Sequence, residues 1–477
     1  MNAVLLIADC DVVVTMNDAG TEIPGGSILI DRGTVAWVGR GTPPGPADRL
    51  ESWQRLDGRG LVALPGLVNT HHHLYQTLTR VRATGEGLFG WLRALYPVWA
   101  GMDETWVRVG ARVGLAELAL SGCATAADHH YIFPRDDPAA ALAFLAAEVE
   151  AAAEIGVRFH AARGAMDLGQ SAGGLPPDDI VQDTDAILAQ TEEAVRRFHD
   201  PSPGAMVRIA VAPCSPFSVS ERLMRASAAL ARRLGVRLHT HIAETADEQA
   251  YCLARYGRRP LEVLDAWGWL TSDVWLAHCV HVDGAGIGLL ARGGAGVAWC
   301  PTSNLRLGSG IGPVPAMLAA GVPVGLGVDG SASNDAGHLL AEARMGLLVA
   351  RAGGAAAMDA RGVLRVATRG GAACLGRDDI GSLEPGKRAD VALFAAGGLE
   401  RVGAEADPVA ALVLCAPQRV RHLLVEGRPV VTNGRLARVD EQAIADEGRR
   451  VARRIVDRTS AAASGRRSAR GAGSGTA

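Results

Sequence analysis

From residue 63 onward, short apolar runs alternate with Ala- and Leu-rich stretches of helical period. The runs predict strands at LPGLVNTHHH (64–73), TAADHHY (125–131), VRFHAARG (157–164), VRIAVAPCS (207–215), VRLHTHIAE (236–244), VWLAHCVH (274–281), GVAWCPTSN (296–304) and VPVGLGVDG (322–330). Eight strand–helix units between residues 63 and 374 predict an α/β fold of one kind, a closed (β/α)8 TIM-like barrel. An open doubly wound sheet fits less well, because no Gly-rich phosphate fingerprint follows the first strand. One helix carries its own punctuation: Asp137 as cap, Pro138 in the first turn, the Ala/Leu run 139–155, and Gly156 as stop.

The flanks have a different pattern. Residues 1–62 are rich in β-branched residues and turns, and SILIDRGTVAWVG (27–39) predicts a hairpin turning at Asp31-Arg32-Gly33. Strand character returns at 379–394 and 420–436. Chain ends often lie close together, so residues 1–62 and 375–440 are expected to build one small composite β-sandwich domain beside the barrel domain, 63–374. Residues 441–477 are expected to be an amphipathic helix (about 440–458) and a low-complexity, disordered tail. The Gly- and Pro-containing segment 168–179 reads as a mobile loop over the barrel mouth.

Composition narrows the function classes. With 48% hydrophobic and 21% charged residues the chain can bury a large core, which excludes global disorder. A net charge of −3 gives no basic field for a nucleic-acid backbone. No signal peptide or bilayer-length apolar run is present, so a cytoplasmic protein without membrane contact is expected. The eight cysteines include no CxxC pair and do not read as a disulfide framework. The only lysine is Lys387, outside the barrel, so two metals bridged by a carboxylated lysine are not expected.

The candidate chemistry sits at the strand ends. Histidine is sparse, 13 residues in all, yet His71 and His73 end the first strand, His239 and His241 the fifth, His278 and His281 the sixth, and Asp329 the eighth. Residues two apart on a strand share a side, so each His-x-His pair can point into the barrel mouth, where barrel enzymes keep their catalytic groups. A catalytic zinc needs three or more N/O ligands and an open position. His71, His73, one of His239 or His241, and Asp329 meet that need for one divalent metal, zinc by preference and iron as the alternative.

The segments PGLVNTHHHLYQTLTR, HTHIAETADE, LAHCVH, CPTSNLRLGSGI, GLGVDGSASND, GSLEPGKRADVALF and VEGRPVV together resemble the amidohydrolase superfamily, in its purine and triazine deaminase branch, over residues 3–440. NTHHHLYQTLTR, DHHYIFP, LGQSAGGLPPDDIVQD and APCSPFSVS are most similar to the deaminases of 8-oxoguanine. The resemblance implies His71, His73, His241 and Asp329 as metal ligands. It further implies Glu244 as the proton-shuttling carboxylate, His278 as the group that polarises the site of attack, and Asp329 as acceptor of the water proton. Gln76, Arg163 and Cys214 fall where substrate contacts are expected, while His129 and His130 are expected behind the ligands. The implied reaction is hydrolytic conversion of 8-oxoguanine to urate and ammonia by metal-activated hydroxide, in a homo-oligomer. A hydroxy-s-triazine, isoxanthopterin or isocytosine is the alternative substrate. Cys214 replaces a histidine that S-adenosylhomocysteine deaminases carry in the A-P-H segment, which favours a free base over a nucleoside.

Overall fold

The computed structural model describes residues 4–44, 53–134, 137–355 and 358–472. Eight parallel strands close a barrel in chain order: Leu67–Asn69, Cys123–His130, Arg158–Ala165, Val207–Pro213, Arg237–Ile242, Val274–His278, Gly296–Trp299 and Val324–Leu326, the last pairing with the first. All eight expected strands are present. Small side chains fill the interior, among them Ala127, Ala162, Ala210, Ala212 and Ala298 around the single large Trp275. The Trp275 indole N–H donates to the Thr70 carbonyl at 3.0 Å, so even this side chain leaves no donor unsatisfied. The helix of the second unit starts at Pro138, is capped by the Asp137 carboxylate and ends at Gly156 with φ 96°, as its punctuation requires.

Both chain ends form one further sheet of nine strands. The N-terminal strand Leu61–Pro65 pairs antiparallel with the C-terminal strand Val391–Ala395, and on its other side parallel with Leu5–Val14. The hairpin Glu22–Asp31/Thr34–Arg40 turns at Arg32 and Gly33, both with positive φ. This sheet has its own apolar core, including Ile7, Val13, Ile28, Val35, Val391 and Leu393.

Two boundaries differ from expectation. The expected strand 64–73 divides at Gly66: residues up to Pro65 belong to the end sheet, and the barrel begins at Leu67. Gly66 marks the change because a Cβ there would stand 2.4 Å from that of Ala124. The C-terminal helix runs Glu441–Ala472, well beyond 458, because the Ala and Arg residues of that stretch are strong helix formers. Of the expected disordered tail, 473–477 lie outside the described residues. Segment 168–179 is tied at Leu168 and Leu175 by backbone bonds to Ser218 and Phe217. No helix among the described residues is long and apolar enough to cross a membrane.

A buried ion cluster joins barrel and end sheet. The fully buried Arg158, at the start of the third barrel strand, donates to both Asp390 oxygens (3.1 Å), to Glu426, and to the Gly204 and Ala205 carbonyls at 2.6 and 2.9 Å. Removing one partner of such a cluster leaves an uncompensated charge, which costs about 3–5 kcal/mol. Asp390→Ala should therefore lower the unfolding free energy by about 3 kcal/mol in a urea titration. Turnover by the folded fraction should be unchanged, since Asp390 lies at the barrel end opposite the histidines.

Candidate metal centre and active site

His71 and His73 lie just past the first strand, yet both flanks still hold their backbone. The Asp329 N–H donates to the His71 carbonyl (3.0 Å) and the His129 N–H to that of His72 (2.8 Å). Alternation therefore continues. His71 and His73 face inward, and His72 is buried with neither ring nitrogen partnered. The fifth strand delivers His239 and His241 from the opposite wall, and Asp329 arrives on a left-handed turn with φ 63° after the eighth.

Backbone carbonyls fix which nitrogen of each ring carries its hydrogen, because a carbonyl can only accept. His73 Nδ1–H donates to the His129 carbonyl at 2.6 Å, and His241 Nδ1–H to that of Cys214 at 2.7 Å. His239 Nδ1–H donates to the Trp275 carbonyl at 2.8 Å, which leaves His239 Nε2 to accept from His71 Nδ1 at 2.8 Å. Burial keeps the rings neutral: it pushes His71, His239 and His241 well below the usual histidine range and His73 down to about 4. In consequence Nε2 of His71, His73 and His241 all present lone pairs to one point. His73 and His241 Nε2 are 3.1 Å apart with no hydrogen between them, and each of His71 and His73 Nε2 lies 3.3 Å from Asp329 Oδ1. His71 Nε2 has no hydrogen-bond partner. Three imidazole lone pairs and a carboxylate oxygen converging without a proton fit one divalent cation. The spacing had left His239 and His241 as equals. Here His239 acts on the site through His71, and His241 faces it directly.

Acid–base groups stand beside this point. Ser303 and Ser333 hydroxyls donate to Asp329 Oδ2 at 2.6 and 3.2 Å. Glu244 Oε2 is 3.4 Å from His278 Nε2, and the Nδ1–H of His278 donates to Asn304 Oδ1 at 2.9 Å. Burial raises Glu244 to about 7. Burial opposes a charge on His278, but the Glu244 and Asp329 carboxylates and the Asn304 bond outweigh it and raise its pKa. The two groups thus form a coupled pair across 3.4 Å, one raised by burial and the other by its carboxylate neighbours. His281 turns away, its Nε2–H donating to the Ser309 carbonyl.

A cavity opens directly on these groups. Its reactive end is His73, His241, Glu244, His278 and Asp329, and its walls include Trp91, Tyr96, Tyr131, Phe217 and Leu307. Gln76 and Cys214 line it. The Gln76 amide is buried with both Oε1 and Nε2 unpartnered, and it fits beside Asp329 only because residue 330 is glycine, where a Cβ would lie 1.9 Å from Oε1. Burial pushes the Cys214 thiol up to about 12, so it is a neutral wall group. Arg163 is not among the lining residues. Its guanidinium donates to the Gln182 and Gln190 side chains at 2.8 and 2.7 Å and to the Gly164 carbonyl, and it stacks on Phe133. It points out of the barrel because Ala162, next to it on the strand, points in. His129 stacks on His241 at 4.7 Å, and His130 faces outward to Glu148. Tyr96, whose buried hydroxyl is unpartnered, is a cavity residue that the sequence did not single out. Its apolar helical surroundings hid it.

Residues 62–430 match the Amidohydrolase family profile. The chain is 46% identical to the 8-oxoguanine deaminase of Pseudomonas aeruginosa over 92% of its own length and 96% of that protein. It is 38% identical to an isoxanthopterin deaminase from an unknown prokaryotic organism, over 92% of this chain and 94% of the relative. The fold superposes on the crystal structure of atrazine chlorohydrolase TrzN from Arthrobacter aurescens TC1 complexed with zinc, with a TM-score of 0.88 and 36% identity, covering 94% of this chain and all of the other. With the barrel, the converging lone pairs and the family match in agreement, the chain belongs to the amidohydrolase family and is a hydrolytic deaminase of C–N bonds.

Proposed function

We propose that the protein deaminates 8-oxoguanine, giving urate and ammonia. The observation that carries this reading is the cavity's division into a histidine- and carboxylate-lined end, with the free Gln76 amide beside it, and an uncharged, largely aromatic and apolar remainder. No arginine or lysine is among the lining residues, which favours a neutral aromatic base over a phosphorylated nucleoside. The unpartnered Gln76 amide can donate to a ring carbonyl and accept from the adjacent ring N–H, an edge that 8-oxoguanine offers. The 46% identity to an 8-oxoguanine deaminase supports the same base.

His71, His73, His241 and Asp329 would hold one divalent metal, zinc by preference, and that metal supplies a nucleophilic water at neutral pH. Asp329 takes a proton from the attacking water. Protonated Glu244 gives its proton to the ring nitrogen beside the carbon under attack. His278 hydrogen-bonds the oxygen as charge develops on it, an oxyanion-type role. Asp329 then returns its proton to the amine, the C–N bond breaks and ammonia leaves, while the remaining O–H proton passes to Glu244 and the water oxygen becomes the new carbonyl. Gln76 and Cys214 bound the base. Arg163, held by Gln182, Gln190 and Phe133 outside the cavity, makes no substrate contact.

Three outcomes are expected. In an ammonia-release assay over 8-oxoguanine, guanine, isocytosine, isoxanthopterin and a hydroxytriazine, 8-oxoguanine should have the highest kcat/KM, and Glu244→Gln should reduce it by about 10²–10⁴-fold. Preference for isoxanthopterin or the triazine would overturn the substrate and leave the metal chemistry standing. Because Glu244 acts from its protonated form and is raised to about 7, kcat should fall as pH rises through about 7. An alkaline limb absent below pH 9 would exclude Glu244 as the donor. Chelation should remove one divalent metal per chain by elemental analysis and lower the melting temperature, and added zinc should restore both.

A further inference from the structure

The residues TADE (245–248) carry the pattern of a capping box, in which a threonine caps the helix and the glutamate three residues later accepts from the threonine's own N–H. Half of that box is present at the start of the helix Ala246–Tyr256. Thr245 Oγ1 accepts from the Glu248 N–H at 3.3 Å. The glutamate reaches past the threonine, however. Its two carboxylate oxygens accept from the N–H of Ala243 and the N–H of Glu244, each at 2.8 Å. Ala243 sits at φ 53°, a left-handed conformation costly for a residue with a Cβ, directly between the strand that carries His241 and Glu244. Glu248 is completely buried, and Ala243 and Glu244 nearly so.

We propose that Glu248 is a positioning residue for the deamination: by gripping the N–H groups of Ala243 and Glu244 it holds the strained turn that aims the Glu244 carboxylate at the substrate and at His278. The proposal rests on the reading of Glu244 as proton shuttle. A helix needs its glutamate only at the cap, and that need would be met at Thr245. Acceptance from the shuttle's own N–H ties the shuttle to the helix instead. An ionised carboxylate is suited to the task because it offers two strong acceptors to two neighbouring donors, whereas an amide offers one.

The same contact has an electrostatic side. Glu244 is faced by His278, by the Ser309 hydroxyl at 3.5 Å, by Asp329, and by the Cys214 and Cys300 thiols, which burial keeps neutral. Burial, then the charges of Asp329 and Glu248 against the pull of His278, hold Glu244 at about 7. Glu248 itself is raised by burial to about 6, against its two backbone bonds. Losing its charge would therefore make Glu244 more acidic.

The test uses the full-length, metal-loaded enzyme and 8-oxoguanine, or whichever base the wild type turns over. Glu248→Gln keeps the shape, drops the charge and leaves one N–H without an acceptor. It should lower kcat about 10- to 100-fold with KM little changed and shift the alkaline limb of kcat to lower pH, with metal content unchanged. Glu248→Asp keeps the charge but is too short to span both donors. It should lose kcat without moving the limb, and it serves alone if the glutamine variant does not fold. Thr245→Ala, which removes only the cap, should lower the melting temperature and leave the limb in place. Wild-type kcat and an unmoved limb in Glu248→Gln, or wild-type kcat in Glu248→Asp, would overturn the proposal. Glu244→Gln run in parallel separates the two readings. If it keeps wild-type turnover, the shuttle assignment fails and this inference with it. If it is inactive while Glu248→Gln is wild type, only this inference fails.

Discussion

A carbonyl oxygen cannot give a hydrogen, and the candidate active site depends on that constraint. The carbonyls of His129, Cys214 and Trp275 each claim one ring hydrogen, two of them directly and the third through His239. What remains at the centre is a set of lone pairs that face one another across about 3 Å. Such an arrangement suits a cation, a charge that the polypeptide itself does not contain. The closed barrel is what brings carbonyls from the second, fourth and sixth strands around histidines from the first and fifth.

The Glu244–His278 pair is arranged by the opposite means. Where the converging histidines are held neutral, burial raises Glu244 to about 7 and the neighbouring carboxylates raise His278. Asn304 fixes the outer nitrogen of His278, so only the nitrogen facing Glu244 is free to gain or lose its hydrogen. Fixed and adjustable groups thus sit side by side on adjacent strands. Burial drives both, and the difference lies in whether a carbonyl or a carboxylate stands opposite.

Much of this was legible in the sequence because a strand repeats every two residues. His71 and His73 share a side for that reason, and the helix begun by Asp137-Pro138 and ended by Gly156 follows from local chemistry alone. The same period, applied to Ala162 and Arg163, places the arginine outside the barrel, although its position at a strand end suggests a ligand contact. The role of His239 was not legible, because it rests on the Trp275 carbonyl of the neighbouring strand, and no spacing within the fifth strand contains that information. The division at Gly66 was hidden too. The apolar residues on both sides are buried alike, in two different sheets, and burial pattern does not distinguish which. Tyr96, a cavity residue with a buried, unpartnered hydroxyl, was masked by apolar neighbours that serve the core.

The pairing of Leu61–Pro65 with Val391–Ala395 has a consequence for how the molecule comes into being. A chain made from its N-terminus exposes one edge of the first strands to solvent until nearly all of the barrel has emerged, since their partner is encoded after it. Open edges and distant pairings are slow to resolve and prone to mispairing. The barrel must therefore be able to assemble while its neighbouring sheet is still unfinished, and Arg158 waits inside it for Asp390 and Glu426 to arrive. The strands that follow the barrel in the chain close both at once.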